Sequence, residues 1–175
     1  MKYSIRAEKQ EDFLLIRELH KLAFQNEGNE ANLVEAIRES SYFVPGLSIV
    51  ATLQSGEIIG HILFSNIILE TERGAKQTLG LAPMAVHPNY QRKGVGSELV
   101  RSGLDLCKEK GFEHVFVLGH PQFYSKFGFI PASKFDIEAP FSVPDEVFTA
   151  VELRKGSLKG MEGEIKYPPA FRTVS

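Results

Sequence analysis

The sequence has 175 residues, of which 43% are hydrophobic and 24% are charged, so one domain with a substantial buried core is expected. Its 20 Lys and Arg against 22 Asp and Glu give a formal net charge of −2, which argues against a general nucleic-acid binder. A single cysteine excludes an internal disulfide, and no apolar run approaches the length of a signal peptide or a membrane span. We therefore expect one cytoplasmic domain over residues 1–175, without nucleic-acid or membrane partners.

The first part of the chain alternates strand and helix patterns. Residues 3–7 alternate apolar and polar side chains, which predicts a half-buried strand. Glu11 and Asp12 open a helical pattern, because acidic residues are favoured at a helix N-terminus, and a second helix is predicted over 29–39. The inward faces are predicted to consist of Leu15, Ile16, Leu19, Leu22 and Ala23 in the first helix, and of Leu33, Ala36 and Ile37 in the second.

A strand hairpin is predicted next. Pro45-Gly46 indicates a turn. The β-rich runs 48–54 and 57–69 follow, and their short Gly-containing link predicts a hairpin. The charged segment 70–77 is expected to be the turn after it.

A strand, a helix and a second strand then form one unit. The strand over 78–87 contains Pro83, which cannot donate to a ladder and so implies an edge or a bulge. The continuously apolar run 114–118 predicts a buried strand, and a loop or short helix is expected at 120–127. Between the two strands, a helix over 94–110 presents an apolar face made of Leu99, Val100, Gly103, Leu104 and Cys107.

The tail adds one predicted strand at 147–153 and a Gly-rich stretch that ends at Tyr167-Pro-Pro. Because helices and strands are interleaved throughout, the class is α/β or mixed α+β, around a mostly antiparallel sheet with one parallel crossover. Cys107 is expected to be a small core residue. The five histidines show no paired metal-ligand spacing, so no metal is expected.

The informative segment is the basic, Gly-rich loop Val86-His-Pro-Asn-Tyr-Gln-Arg-Lys-Gly-Val-Gly-Ser97, between a strand end and a helix start. The first backbone N–H groups of a helix have no intrahelical partner, and the helix dipole favours an anion there. Gly94 and Gly96 allow close approach of a phosphate, while Arg92 and Lys93 add positive charge. The alternative is a surface turn with two solvated cations. P-loop and Rossmann patterns are absent from this segment.

The same residues resemble a known family. Gln91-x-x-Gly94-x-Gly96 is similar to the [RQ]-x-x-G-x-[GA] pyrophosphate loop of the GCN5-related N-acetyltransferases (GNAT). The resemblance extends to the preceding Met84-Ala-Val-His-Pro88 and to Phe123-Tyr-Ser-Lys-Phe-Gly-Phe129, which is similar to the family's Y-x-[KR]-x-G-F element. It covers a cofactor-binding core at about 48–131. The strand and tail at 147–175 resemble a poorly characterised bacterial branch.

The resemblance implies a GNAT fold, a central mixed, mostly antiparallel sheet flanked by helices, with acetyl-CoA as cosubstrate and no metal. The implied reaction moves the acetyl group to a primary amine by direct attack, through a tetrahedral intermediate. Tyr124 is the candidate acid for the departing thiolate, since a phenol of pKa about 10 is protonated at neutral pH; an aromatic plug is its alternative. The implied cofactor contacts are Met84, Ala85, Val86, Gln91, Arg92, Lys93, Gly94, Val95, Gly96, Ser97, Phe123 and Lys126.

The general base is unassigned, and here the sequence departs from the family pattern. Many members carry a glutamate on the strand before the loop, whereas residues 79–86 hold no carboxylate. A non-catalytic CoA-binding sensor or scaffold of the same fold is therefore the alternative function. The acceptor is open between a small amine, an aminoglycoside-like compound, a peptide amino terminus and a lysine side chain, and a homodimer also stays open. A water chain is one candidate base, and the others are Glu27, Glu30, His61, Glu70 and His120.

Overall fold

The computed structural model describes residues 1–173, and its main elements follow the expected order. Short 3-10 turns connect several of them. The helices and strands are β1 (Tyr3–Ala7), α1 (Phe13–Phe24), α2 (Asn29–Arg38), β2 (Phe43–Leu53), β3 (Ile58–Thr71), β4 (Gly74–Val86), α3 (Val95–Glu109), β5 (His114–Leu118), α4 (Pro121–Tyr124), β6 (Ile130–Pro131), β7 (Ile137–Glu138), β8 (Phe148–Glu152) and β9 (Gly163–Lys166).

The described strands form one mixed sheet in the order β1-β2-β3-β4-β5-β8-β6. β9 pairs with the second half of β3 and also with β7. Two of the described pairs are parallel, β4 with β5 and β7 with β9, and the others are antiparallel. The helix α3 makes the crossover between β4 and β5. The expected mostly antiparallel sheet with a parallel crossover is confirmed.

The sheet is covered by helices on both faces. On one face α3 packs closely, because Gly103 has no side chain where a Cβ would overlap the ring of Phe64. A Cβ on Gly60 would lie 2.8 Å from Leu99, so a second glycine brings the start of α3 against β3. On the other face α1 and α2 cover a separate cluster: Ile16, Leu19, Leu33, Val34, Ile37, Val50, Ile58, Leu63 and Ala85.

One turn prediction was wrong, one predicted turn was too long, and one strand was missed. Pro45-Gly46 lies inside β2, where the pairing with β3 is irregular, and Gly46 has the left-handed φ of +90° that such an irregularity requires. The charged segment 70–77 is mostly strand, because β3 runs to Thr71 and β4 begins at Gly74. β9, in the Gly-rich tail, was not predicted. A strand of four residues carries little hydrophobic pattern, and its pairing is decided by the neighbouring strand.

The inward face of α1 differs from its prediction. Ile16 and Leu19 are buried, but Leu15 and Leu22 are 49% and 51% exposed. The buried face is completed by His20, which is fully buried and hydrogen-bonded. Hydrophobicity alone could not place a histidine on that face.

None of the helices among residues 1–173 is long and apolar enough to cross a bilayer.

Candidate active site

The candidate site lies where β4 and β5 separate. Their parallel pairing ends at Leu81 and Val117. Just beyond, the pairing of β4 with β3 shifts register, with Ala82 and Pro83 opposite a single residue of β3. β4 has neighbours on both sides, so Pro83 sits at a bulge in an interior strand, and the edge alternative is excluded. A gap therefore opens in the sheet beside residues 82–86.

The backbone of β4 presents donors to this gap. The N–H of His87 donates to the carbonyl of Ile59 on β3 at 2.8 Å. Because successive N–H groups alternate between the two sides of a strand, those of Met84 and Val86 point away from β3, toward the gap. The carbonyl of Val86 faces the same way and accepts from Nε2 of Gln91 at 3.0 Å. Two main-chain donors thus face the space that β5 leaves.

The loop after β4 is built around the N-terminus of α3. The first intrahelical bond runs from the N–H of Glu98 to the carbonyl of Gly94 at 3.0 Å, so the N–H groups of residues 94–97 have no acceptor within the helix. Gly94 has a φ of +88°, and Arg92 holds the uncommon left-handed φ of +64°. Arg92 and Lys93 are exposed. This arrangement can bind an anion through backbone donors and two cations.

Several of the predicted contact residues come together at Gly96. A Cβ at that position would lie 3.6 Å from Val86, 3.7 Å from Met84 and 3.7 Å from Phe123. Ala85 differs, since its side chain is buried in the cluster under α1 and α2 on the opposite face of the sheet. Other predicted contacts lie around this point: Val95 is buried, Ser97 is half-buried, and Lys126 is exposed with Nζ 5.0 Å from the centroid of the Phe123 ring.

Tyr124 ends α4 with its ring packed edge-on against Phe123 and Phe129, at centroid distances of 5.0 and 5.6 Å. Gly119 makes room for it, because a Cβ there would lie 2.7 Å from the Tyr124 ring. Only 9% of the residue is exposed, and burial raises the pKa of Tyr124 to about 12. The hydroxyl is therefore protonated at neutral pH and can donate.

The candidate bases are widely separated. Glu27 and His120 are exposed, and Glu30 accepts a hydrogen bond from Asn26 near the start of α2. Glu70 lies at the far end of the β3–β4 hairpin, opposite Ala75, and ten residues of strand, about 33 Å, separate Ala75 from Ala85. His61 is fully buried and is directly opposite Ala85.

His61 belongs to a buried network that the sequence did not reveal. Its Nδ1 lies 2.8 Å from Nε2 of His20, and its Nε2 lies 2.8 Å from Oγ of Ser48. Ser48 donates to Glu8 at 2.7 Å, and Arg38 donates to both carboxylate oxygens of Glu8 at 2.8 and 3.0 Å. We call these five residues the histidine network. Its members come from distant parts of the chain and form no motif, so no sequence signal could have found them.

Burial governs the protonation of both histidines. It lowers the pKa of His20 to about 4, and the nearby Arg38 acts in the same direction. Burial also holds the pKa of His61 well below its usual value, with smaller contributions from His20 and Arg38. Both imidazoles are neutral at pH 7.

Cys107 is confirmed as a core residue, and burial raises its pKa to about 12. Residues 1–173 contain no group of three or more His, Cys, Asp and Glu side chains that could hold a metal ion.

The unpaired end of β4, its bulge and the loop at the start of α3 match the site that the resemblance to the N-acetyltransferases implies. The chain matches the Acetyltransferase (GNAT) family over residues 13–129, and it belongs to that family. It is 34% identical to the uncharacterized N-acetyltransferase YhbS of Escherichia coli (strain K12). The 167 aligned residues cover 95% of this chain and 97% of that protein.

Two crystal structures with bound cofactor are similar to the whole chain. YhbS from Escherichia coli in complex with CoA has a TM-score of 0.89 and 31% identity, over 98% of this chain and 93% of that one. A GNAT family acetyltransferase from Brucella melitensis in complex with acetyl-CoA has a TM-score of 0.79 and 26% identity, over 97% and 98%. The expected GNAT fold is confirmed.

Proposed function

We propose that the chain is a single N-acetyltransferase domain that works in the cytoplasm and moves an acetyl group from acetyl-CoA to a primary amine of a small molecule or peptide. The observation that carries this proposal is the convergence of Met84, Val86, Gly96 and Phe123 beside the gap between β4 and β5. The CoA and acetyl-CoA bound to the two similar proteins support the same cosubstrate here.

In this proposal the loop holds the pyrophosphate. The N–H groups of residues 94–97 donate to its oxygens, and Arg92 and Lys93 add positive charge. Gln91 acts from a distance: its amide donates to the carbonyl of Val86 and so holds the loop against the end of β4. Because Gly96 has no side chain, the loop and the end of β4 lie close together and still leave space for the cofactor between them.

The thioester lies along Met84–Val86 in this arrangement. The amine attacks the thioester carbon directly, and negative charge develops on the oxygen of the tetrahedral intermediate. The N–H groups of Met84 and Val86 face the gap and donate to that oxygen, which is often the largest catalytic contribution in acyl transfer. The C–S bond then breaks, and the protonated hydroxyl of Tyr124 gives its proton to the sulfur.

The test has two steps. Calorimetric titration of the protein with acetyl-CoA is expected to give saturable one-to-one binding. Release of the CoA thiol is then followed with a small amine, an aminoglycoside, a peptide with a free amino terminus, and an amino-terminally blocked peptide that carries lysine. Turnover with one of these classes identifies the acceptor, whereas absence of acetyl-CoA binding would overturn the proposal.

A non-catalytic CoA-binding module is the second candidate function. It is favoured by one observation, the absence of a carboxylate among residues 79–86, where many members of the family place their base. Tight acetyl-CoA binding without thiol release toward any of the four acceptor classes would select this function. Thiol release would exclude it.

A further inference from the structure

The histidine network has a defined direction. Ser48 has one hydroxyl proton, and it donates that proton to Glu8. Ser48 must therefore accept from Nε2–H of His61, which leaves Nδ1 of His61 as an acceptor. Nε2 of His20 in turn carries a proton and donates it to His61. These three hydrogen bonds all point from His20 toward Glu8.

This direction leaves one atom without a partner. Nδ1 of His20 carries a lone pair, and it is buried without a hydrogen-bond partner among residues 1–173. His20 is fully buried, and a buried acceptor without a partner is energetically costly. The lone pair on Nδ1, at the head of the directed chain, is therefore free to accept a proton.

The network lies directly behind the candidate site. His61 is opposite Ala85. Ala85 lies between Met84 and Val86, the two residues whose N–H groups face the gap. Ala85 packs in one cluster with Ile16 and Leu19 of α1, so α1 and His20 cover this part of β4. Adjacent antiparallel strands have their Cα atoms about 5 Å apart. The imidazole pair is thus one strand away from the proposed thioester position.

The histidine network lies on the face of the sheet from which the acceptor amine can approach. The loop belongs to α3, and Tyr124 packs in the cluster that α3 covers, so the proposed cofactor occupies the α3 face. An attacking amine must approach the thioester carbon from the side that the cofactor does not fill, which is the face of α1. There the ring of Phe24 stacks on His20 at 5.8 Å and is itself 40% exposed. A partly exposed ring therefore lies directly against the buried imidazole.

We infer that Nδ1 of His20 accepts the proton that the acceptor amine releases, with His61, Ser48, Glu8 and Arg38 as positioning residues; this inference rests on the proposed acetyltransferase function. It assigns the missing base to α1 rather than to β4, with a positioning residue on β3. The charges that face the two imidazoles are Arg38 from α2 and Glu8 from the segment after β1, and they bind each other.

The proton balance is as follows. As the amine nitrogen bonds to the thioester carbon, its proton passes to Nδ1 of His20. The imidazolium keeps its Nε2–H bonded to Nδ1 of His61, and His61 keeps its own Nε2–H bonded to Ser48, so the network holds the ring in place while its own protons do not move. The C–S bond breaks as Tyr124 gives its proton to sulfur. Solvent then takes the proton from Nδ1 of His20 and restores that of Tyr124, which returns the site to its starting state without a further reactant.

The first test needs no acceptor. In protein labelled with 15N-histidine, NMR is expected to show an unprotonated Nδ1 on His20 and protonated Nε2 atoms on His20 and His61. Addition of acetyl-CoA should shift the His20 and His61 nitrogens and leave those of His114, which is bonded to Thr78, unchanged. Binding of acetyl-CoA without any shift at His20, or a reversed tautomer, would overturn the inference.

The second test uses His20→Gln and the amine with the fastest thiol release in the screen. Glutamine keeps a donor near the position of Nε2 and lacks Nδ1. We expect kcat to fall by about 10² or more, the remaining rate to rise with pH because bulk solvent must take the proton, and acetyl-CoA affinity to stay unchanged. His114→Gln is the matched buried control, and its kcat should stay at the normal value. A normal kcat in His20→Gln would overturn the inference.

Two further results separate this inference from the proposed function. Free imidazole should restore part of kcat in His20→Ala, because it can enter the space left by the side chain, and it should not restore kcat in Tyr124→Phe. If acetyl-CoA does not bind the wild-type protein, the proposed function fails. If it binds and is turned over, but His20→Gln is fully active, only the assignment of His20 fails.

Discussion

The loop at 91–97, which we propose to bind the cofactor pyrophosphate, and the histidine network are two polar regions. They reach β4 from opposite faces of the sheet. The loop is contiguous, exposed and charged, so water solvates it in the absence of a ligand. The network is mostly buried and draws its residues from β2, β3, α1, α2 and the segment after β1. Exposed charges contribute little to stability, whereas buried polar groups are costly unless they are bonded.

This contrast separates the consequences of substitution in the two regions. The loop can lose its ligand without loss of the fold, because its exposed cations, Arg92 and Lys93, and its free N–H groups can be hydrated in place of the ligand. The network cannot be altered without a change in folding free energy, because each member satisfies another. Binding assays should therefore report on the loop, and stability and its pH dependence should report on the network.

The largest expected effect is on the loop. Gly96→Glu should weaken acetyl-CoA binding by about 10³-fold, because a like charge beside the pyrophosphate costs several kcal/mol. Gly96→Ala is the control: its Cβ would meet Met84, Val86 and Phe123 at ordinary contact distances of 3.6–3.7 Å, so its Kd should stay within about threefold. Calorimetric titration measures both. Unaltered binding by Gly96→Glu would remove the loop from the site.

Tyr124→Phe should lower kcat by about 10² and leave the Kd for acetyl-CoA unchanged, because only the proton donor is removed. Tyr167→Phe is the matched control, since Tyr167 is half-buried and burial also raises its pKa to about 12. Thiol release at saturating acetyl-CoA measures the effect. Normal turnover in Tyr124→Phe would leave Tyr124 as an aromatic plug.

Acid should destabilise the protein through the network. The pKa of His20 is about 4 in the folded protein, against 6.5 when exposed. Between these values the unfolded chain binds more protons, so the free energy of unfolding falls as pH decreases from 6.5 to 4, by about 3 kcal/mol in total. Urea unfolding at pH 7.5, 6 and 5 measures this slope.

His20→Gln should reduce that pH slope, since it removes one of the two neutral imidazoles. Gly96→Ala, in the loop, should keep the wild-type slope. Equal slopes in wild type and His20→Gln would mean that His20 titrates normally in the folded protein. The loop and the network would then not differ in their effect on the pH dependence of stability.

The smallest effect concerns the packing of α3, which carries the loop. Gly103→Ala should lower the free energy of unfolding by about 1 kcal/mol: overlap with Phe64 costs about 1–3 kcal/mol, and the better helix propensity of alanine offsets about 1 kcal/mol. Phe64→Leu should recover part of this loss in the double mutant, because the two positions are in contact. Urea unfolding of the four proteins measures this coupling. Strict additivity would contradict the close packing.

The order of the principal elements and the loop could be predicted because their signals are local. The helix over 94–110, the buried strand at 114–118 and the proline bulge each follow from a few neighbouring residues, and α3, β5 and the register shift agree with them. The failures have one cause. Pro45-Gly46, the charged segment 70–77 and β9 are strand segments whose pairing is decided by a neighbouring strand.

By itself, the sequence determined the class of fold and the family, and it predicted the anion site in the loop, since adjacent residues are enough to place free N–H groups and cations at a helix N-terminus. Only the tertiary structure decided which face of α1 is buried, and that His20, Ser48 and His61 meet behind β4 next to Glu8 and Arg38. The physical reason is that a buried hydrogen bond depends on the distance between two atoms in the folded chain, and residues 41 positions apart, such as His20 and His61, carry no local trace of that distance.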